Sequence, residues 1–310
     1  MLKEISKLPK VTIMIPTYGQ EDIILEAVDS ALAQDYPNLE VVVADDASPD
    51  GTAHVVATRK DKRLRYHRNE VNLGRVGNYR NTLYNLAKGD WVVNLDGDDY
   101  YTDTGFISAV MEVVINNPEV VIVSARRVSK SAKREFVNEI PKHRLINGRK
   151  LLLNLHKTEF RFWHMVTLYR RSDALECDFY RADVISADWE SLFRLALRGK
   201  IAYIDRIAGV WRCHEDNAST EPDSNALLEN LKIWDAIYDE AALFGIPSYR
   251  AKWEKRKIRV IIGYYYYSLI LKKTGFKEAV NYIISLYKID WLLPLSIFLY
   301  YKTIIKAIVS

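Results

Sequence analysis

The sequence has only two cysteines among its 310 residues, Cys177 and Cys213. Their positions match neither a disulfide framework nor a zinc motif, which indicates reduced packing residues of a cytosolic protein. The first ten residues lack the apolar segment of a secretory signal peptide. A run of about 20 apolar residues is also missing, because Pro294, Lys302 and Lys306 interrupt the apolar C-terminal stretch, so we expect no membrane-spanning helix.

The composition is that of a folded protein with unevenly distributed charge. Hydrophobic residues make up 49% of the chain, which supports a substantial core and argues against disorder. From Tyr249 onward, twelve lysines and arginines face three acidic residues, although the whole chain carries only +4. A basic end is typical of contact with nucleic acid or with an anionic membrane. Its aromatic residues fall in apolar helical stretches and not in a base-stacking platform, so we expect no nucleic-acid partner.

Strand-like and helix-like segments alternate over the first 125 residues. Short apolar runs at 11–16, 39–44, 91–95 and 120–124 predict strands, and a further strand is expected at 64–68. Continuously apolar strands are typical of a mostly parallel sheet that is covered by helices on both faces. We therefore predict an α/β fold.

The last 90 residues are predicted to be helical, at 227–244, 250–273 and 277–288. Beyond them, four apolar residues recur at helical spacing opposite Lys302 and Lys306. The four are Phe298, Tyr301, Ile305 and Ile308. This pattern fits a helix that lies in a membrane interface. A core helix or a dimer contact explains it equally well.

Three carboxylates follow the strand predicted at 91–95. Asp96, Asp98 and Asp99 are crowded around Gly97, which allows the backbone to turn. Crowded carboxylates repel one another, and a divalent cation such as Mg²⁺ or Mn²⁺ relieves that repulsion. The alternative is a helix cap and turn, where Asp is common. We favour a site, because open α/β sheets bind ligands at the carboxyl ends of their strands.

Six short motifs occur in the order and at the spacing of one enzyme family. In chain order they are Ile15-Pro16-Thr17-Tyr18; Asp45-Asp46-Ala-Ser-Pro-Asp-Gly-Thr52; Asn72-x-Gly74 with Arg80-Asn81; Gly89-Asp90 with Asp96-Gly97-Asp98-Asp99; Ala187-Asp188-Trp189-Glu190; and Trp211-Arg212-x-His214-x-x-Asn217-x-Ser219. Over about residues 10–220 the chain resembles the family-2 glycosyltransferases, which have the GT-A fold. The resemblance implies a nucleotide-diphosphate sugar donor, Mn²⁺ or Mg²⁺, and inversion at the anomeric carbon.

The resemblance also implies where the donor and the metal bind. The residues expected at the nucleotide sugar are Pro16, Thr17, Tyr18, Asp45, Asp46, Asn72, Arg80, Asp96, Gly97, Arg126 and Arg212. Asp46 is expected to accept a hydrogen bond from the nucleobase, and the Arg80 fork suits the diphosphate. The implied metal ligands are Asp98, Asp96 and His214. Without the resemblance, Arg80 is typical of a solvated helix face.

Asp188 is the catalytic base that the resemblance implies. Inversion needs a group that takes the proton of the acceptor hydroxyl as its oxygen attacks. The family often has an acidic residue just before this position, where this chain has Ala187. Glu190 is a candidate for orienting the acceptor. The alternative for Asp188 is the N-cap of a helix predicted at 188–198, and the two roles are compatible.

We therefore predict a cytoplasmic inverting glycosyltransferase of hexosyl or N-acetylhexosaminyl type, with UDP as the nucleotide by family habit. Its acceptor would be a glycan or a lipid-linked hydroxyl in surface-polysaccharide biosynthesis. The predicted domains are 1–220, divided near residue 125 into a nucleotide-sugar half and an acceptor half, and a helical region at 221–310. That region would contact the inner face of the plasma membrane or a second copy of the chain.

The alternative function is a nucleotidyltransferase that acts on sugar phosphates, because those enzymes share a nucleotide-binding α/β sheet. They usually carry a glycine-rich, basic loop after the first strand. This chain instead has Pro16-Thr17-Tyr18-Gly19-Gln20, with one glycine and no basic residue.

Overall fold

The computed structural model describes residues 8–132, 134–139, 144–157, 162–214, 217 and 223–297. The chain divides into two compact units. The first comprises the described parts of Met1–Gly148, Phe160–Asp183 and Ala187–His214, and the second those of Arg149–Glu159, Val184–Ser186 and Glu215–Ser310. Ser219 and the apolar face predicted around Phe298 lie outside the described residues.

The first unit is built on one mixed sheet. Its strands are β1 (Val11–Thr17), β2 (Leu39–Asp45), β3 (Leu64–Arg68), β4 (Trp91–Asn94), β5 (Tyr100–Tyr101), β6 (Val120–Lys130), β7 (Glu135–Val137), β8 (Leu145–Asn147), β9 (Thr167–Arg170) and β10 (Lys200–Arg212). Their order is β3-β2-β1-β4-β9-β6-β10-β5, with β7 beside β6 and β8 beside β10. Strands β3, β2, β1 and β4 are parallel, whereas β9 enters antiparallel between β4 and β6. The predicted α/β fold is confirmed, with antiparallel pairs in the second half of the sheet.

Helices of the first unit cover this sheet with their apolar sides. They are Ile24–Leu32, Thr52–Val56, Arg75–Asn81, which continues as a π-helical turn at Thr82–Leu86, Phe106–Asn116, Arg171–Glu176 and Ala187–Ala196. In the first of them, Ile24, Ala27, Val28 and Ala31 recur every three or four residues and are all buried. Strands β1 and β2 are buried at every position, which explains their continuously apolar sequences.

The carboxyl ends of β1, β2 and β4 meet at one edge of the sheet, as the sequence predicted. Thr17 pairs in register with Asp45, and Met14 pairs with Asn94. The acidic segments that follow β2 and β4 therefore leave the sheet side by side.

The second unit is helical in its described part. Its main helices are Ser224–Leu231, Ile233–Ala241, Ser248–Lys273 and Phe276–Ser285. The single helix predicted at 227–244 is interrupted at Lys232, where two tighter turns form because Lys232 N–H bonds Glu229 and Asp235 N–H bonds Lys232. In the described part of the chain, no helix combines the length and hydropathy that crossing a bilayer requires.

Candidate active site

The acid loop, residues 96–99, follows β4 directly. A Cβ atom at Gly97 would lie 2.9 Å from Ile24 Cδ1 and would also displace the Gln20 side chain, so a larger residue here requires both side chains to move. Asp96 Oδ1 accepts hydrogen bonds from the Tyr79 hydroxyl and from Asn94 Nδ2, both at 2.8 Å. These two donors occupy one carboxylate oxygen and fix the orientation of the group.

His214 and Arg212 bring the end of β10 to the acid loop. His214 Nε2 lies 2.8 Å from Asp98 Oδ2. Arg212 donates its backbone N–H to Asp99 Oδ1 at 2.9 Å and its Nη1 to the Asp98 carbonyl at 2.8 Å. Its guanidinium also pairs with Glu26. Two predicted residues at the end of β10 therefore contact acids that lie far away in the sequence.

The acid loop is electrostatically crowded. Burial and the Asp96 charge raise the pKa of Asp98, although the His214 contact works in the opposite direction. Burial and the charges of Asp98 and Asp96 raise the pKa of Asp99 well above its usual value. Carboxylates in this condition are those that a bound cation stabilises in their charged form.

These residues fit a hard divalent cation by their chemistry. Asp98 and His214 are in direct contact, and Asp96 lies two residues before Asp98, with its Oδ1 bonded to Tyr79. In the described part of the chain, however, no group of three or more His, Cys, Asp or Glu side chains is already arranged around a single metal position. The residues are therefore of the types that bind such an ion, although those that the structure describes do not form a preformed site.

The predicted nucleobase end lies where β1 and β2 stop. Asp46 Oδ1 accepts hydrogen bonds from Asn69 Nδ2 and from Leu73 N–H, both at 2.8 Å. Asp45 accepts from Ser48 N–H at 2.7 Å and from the Tyr66 hydroxyl at 2.5 Å. Pro16 and Thr17 are buried, whereas Tyr18 is 52% exposed and so presents its ring to solvent.

Asp188 is the second residue of the helix Ala187–Ala196, so it lies inside the first turn and not at the N-cap. Its charge and that of Asp96 in the acid loop both act on the guanidinium of Arg75. Desolvation opposes the charged form of this arginine, but Tyr79 and the carboxylates of Asp188 and Asp96 raise its pKa. One guanidinium therefore responds to both the candidate base and the candidate metal site.

The structure gives other predicted residues different partners. Asn72 Oδ1 accepts from Gly74 N–H at 2.8 Å in an exposed turn. Arg80 pairs with Asp178 at 2.7 Å and stacks on Tyr84. Both contacts of Arg80 are with residues outside the acid loop, and its expected role at the diphosphate stays a prediction.

Arg126 is likewise engaged outside the acid loop. It donates Nη1 to Asp205 at 3.0 Å and Nε to the Asn138 carbonyl at 3.1 Å. Its neighbour Arg127 faces the site instead, because successive strand residues point to opposite faces. Sequence reasoning missed Arg127, and it missed Tyr79 and Asn94, which read as ordinary core residues. Strand alternation was the one signal that distinguished the two arginines.

Glu190 is buried and bound within the protein, contrary to the expectation that it orients the acceptor. Its carboxylate lies 2.7 Å from Arg194 Nε and 3.0 Å from Arg181 Nε. Both Glu190 and Arg194 have side chains that are only 1% exposed. Two arginines therefore occupy the carboxylate.

The Glu190–Arg194 pair leads to a prediction about stability. The substitution Glu190→Ala should lower the free energy of unfolding by about 3–5 kcal/mol, since it leaves a buried guanidinium without its counter-charge. Urea denaturation would measure the change. The matched control is Glu176→Ala, which removes an exposed partner of Arg198 and should change stability by less than about 1 kcal/mol. Equal midpoints for the two variants would contradict the prediction.

The family assignment follows from a comparison with known proteins. Residues 12–177, more than half of the chain, match the family model of glycosyl transferase family 2. The chain belongs to this family. It is 27% identical over 191 residues to poly(ribitol-phosphate) beta-N-acetylglucosaminyltransferase TarS of Staphylococcus aureus, a match that covers 60% of this chain and 32% of TarS.

A second relative is the UDP-Glc:alpha-D-GlcNAc-diphosphoundecaprenol beta-1,3-glucosyltransferase WfaP of Escherichia coli. It is 38% identical over 94 residues, which is 30% of this chain and 37% of WfaP. The chain therefore spans about a third of the length of these two relatives. The family predicted from the six motifs is confirmed.

Solved structures confirm the GT-A fold. The structure of S. aureus TarS 1-349 in complex with UDP-GlcNAc has a TM-score of 0.66 and 19% identity, and the match covers 89% of this chain and 79% of that chain. The mannosyltransferase PcManGT from Pyrobaculum calidifontis, in complex with GDP-Man and Mn2+, has a TM-score of 0.59 and 18% identity, with 97% and 81% covered.

Proposed function

We propose that this glycosyltransferase moves a hexosyl or N-acetylhexosaminyl group from a UDP-sugar to a hydroxyl of a glycan or lipid-linked acceptor, with inversion. The observation that carries the proposal is that Arg75 responds electrostatically to both Asp96 and Asp188. The charges of the acid loop and of the candidate base thus act on the same guanidinium. TarS and WfaP, whose names state N-acetylglucosaminyl and glucosyl transfer, support this donor class.

On this proposal, Asp98 holds a divalent cation together with Asp96 and His214. The cation supplies electrostatic stabilisation of the departing nucleoside diphosphate. Tyr79 and Asn94 keep Asp96 in a fixed orientation, and Arg212 holds the loop. The PcManGT complex, which contains Mn2+ beside GDP-Man, supports the choice of cation.

Asp188 acts as the base in this proposal. Its carboxylate accepts the proton of the acceptor hydroxyl as that oxygen attacks the anomeric carbon on the face opposite the nucleotide. Tyr18 lines the nucleobase pocket and Asp46 accepts a hydrogen bond from the base, as the resemblance implies.

A thermal-shift screen of nucleotide sugars tests the function. UDP-GlcNAc or UDP-glucose with Mn²⁺ should raise the melting temperature by several degrees, because a ligand at about 100 Kd contributes about 2.7 kcal/mol. Omission of Mn²⁺ should remove most of this increase. A larger stabilisation by nucleoside triphosphates, with none by nucleotide sugars, would contradict the proposal in favour of a nucleotidyltransferase.

We also propose that the second unit attaches the enzyme peripherally to the cytoplasmic face of the plasma membrane. Its last described segment exposes large apolar side chains: Phe276, Ile284, Tyr287, Trp291 and Leu295 are between 55% and 71% exposed. Four exposed lysines accompany them, Lys272, Lys273, Lys277 and Lys288. Aromatic groups with lysines are typical of surfaces that bind anionic lipid headgroups.

Vesicle sedimentation measures this attachment. At low salt the protein should sediment with vesicles that contain phosphatidylglycerol and remain in solution with phosphatidylcholine alone. A double change, Phe276→Ser with Trp291→Ser, should reduce the sedimenting fraction severalfold, whereas Leu243→Ser, at an 83% exposed site outside the segment, should not. If the double variant instead converts a dimer to a monomer without affecting sedimentation, the surface joins two copies.

A further inference from the structure

Arg127 is a buried cation that the proposed reaction leaves unused. Its guanidinium lies between two indole rings, 4.3 Å from the centre of Trp163 and 4.3 Å from that of Trp211. The residue is 5% exposed. Its Nη1 is buried and has no hydrogen-bond partner in the part of the chain that the structure describes. Nearly all buried polar groups in proteins have such a partner, so this nitrogen calls for an explanation.

Arg127 lies within the electrostatic influence of two carboxylates of the proposed site. Burial lowers its pKa to about 10, so the group remains charged near neutral pH, and the carboxylates of Asp99 and Asp188 act in the opposite direction. Neither carboxylate reaches the free Nη1 with a hydrogen bond. The cation is thus attracted to the acidic side of the site without being paired by it.

The two tryptophans explain how the arginine is held. Trp211 lies on β10 and Trp163 precedes the turn His164–Val166, and both rings are partly exposed. Contact of a guanidinium with aromatic faces is favourable but leaves its N–H donors unsatisfied. The rings therefore fix the plane of the guanidinium, while its Nη1 keeps the capacity to donate hydrogen bonds.

We propose that Arg127 binds an oxyanion of the acceptor, a phosphate or carboxylate group close to the hydroxyl that receives the sugar. This inference rests on the proposed function, because it takes Asp188 as the point where that hydroxyl binds. An anion is the ligand that compensates an unpaired buried guanidinium, and a planar arginine is suited to phosphate and carboxylate oxygens. The acceptor is then an anionic glycan or glycolipid, and Arg127 contributes to its selection.

Sulfate is a suitable probe, since it reproduces the oxyanion and stays soluble with Mn²⁺. It would be titrated at constant ionic strength into protein saturated with UDP and Mn²⁺, with melting temperature and tryptophan fluorescence as readouts. The unchanged protein should bind sulfate saturably, and Arg127→Gln should weaken that binding at least about tenfold. Arg127→Lys should recover part of it, because lysine keeps the charge without the planar fork.

The matched control is Arg126→Gln, which changes the neighbouring arginine that pairs with Asp205. It should leave sulfate binding unchanged, and UDP affinity should stay within about twofold in Arg127→Gln. Sulfate binding that survives in Arg127→Gln, or that is absent from the unchanged protein, overturns the inference. A tenfold loss of UDP affinity in Arg127→Gln also overturns it, because the arginine would then serve the donor.

The sulfate titration still tests the oxyanion site at Arg127 if the proposed function fails. In that case UDP does not bind the unchanged protein, and the same sulfate titration is carried out on the nucleotide-free chain. A difference between Arg127→Gln and Arg126→Gln still supports an oxyanion site at Arg127, and equal binding by the two variants overturns it. If Arg127→Gln does not fold, the comparison uses Arg127→Lys.

Discussion

Replacement of Asp188 by asparagine is expected to lower kcat by about 10³-fold or more while UDP affinity stays within about twofold. Asparagine has nearly the same shape and can still accept a hydrogen bond, but it cannot take up the proton of the attacking hydroxyl at neutral pH. Because Asp188 is proposed to act on the acceptor hydroxyl, its loss should affect the chemical step and not donor binding.

The Asp188 measurement combines UDP release from the bound nucleotide sugar with calorimetry of UDP and Mn²⁺. The matched control is Asp183→Asn, an exposed aspartate five residues earlier, which should retain full turnover. Near-normal kcat in Asp188→Asn would exclude this residue as the base. Equal loss of turnover and of UDP affinity would place it at the donor.

The substitution Asp98→Asn should weaken Mn²⁺-dependent UDP binding by about 100-fold or more, since the carboxylate is the principal ligand in the proposed metal site. The same change should raise the melting temperature of the ligand-free protein. The reason is that burial and, beside it, the charge of Asp96 raise the pKa of Asp98, so a neutral amide removes an unfavourable charge from the folded state.

These two expected effects have opposite signs, which separates a metal-binding acid from one that merely caps a turn. Both are read from thermal unfolding with and without Mn²⁺ and UDP. Asp103→Asn serves as the control, because Asp103 pairs with Arg206 and caps the turn at Gly105, so its loss should lower stability without any dependence on Mn²⁺. A lower melting temperature for ligand-free Asp98→Asn, with UDP binding intact, would contradict a metal role.

The parts of the site that lie on local sequence signals were predictable. Strands β1, β2 and β4 are short apolar runs that end in polar residues, and parallel pairing necessarily brings their ends together. Asp46 and Asp98 could therefore be placed at one edge from the chain alone. The family motifs then supplied His214 and Asp188, which arrive from distant segments.

The remainder depended on side-chain direction, which sequence patterns do not specify. Arg126 and Arg127 are chemically alike, and only the pleat of β6 decides which of them faces the tryptophans. Arg80 was assigned to the diphosphate from the family motif, and the structure shows it in an exposed ion pair with Asp178. Tyr79 has the spacing of a core residue, and its hydroxyl contact with Asp96 becomes visible only in three dimensions.

Arg212 limits how enzymes built on this plan can diversify. From β10 it donates hydrogen bonds to Asp99 and Asp98 of the acid loop, 113 and 114 positions earlier in the sequence. Exchange of the whole C-terminal portion for a segment with another acceptor preference would remove these two hydrogen bonds. The acid loop would then lose its fixed geometry. Insertions and replacements between β6 and β9 leave these hydrogen bonds and Asp188 in place. New acceptor preferences are therefore most readily acquired within that interval, with the last long strand inherited together with the first four.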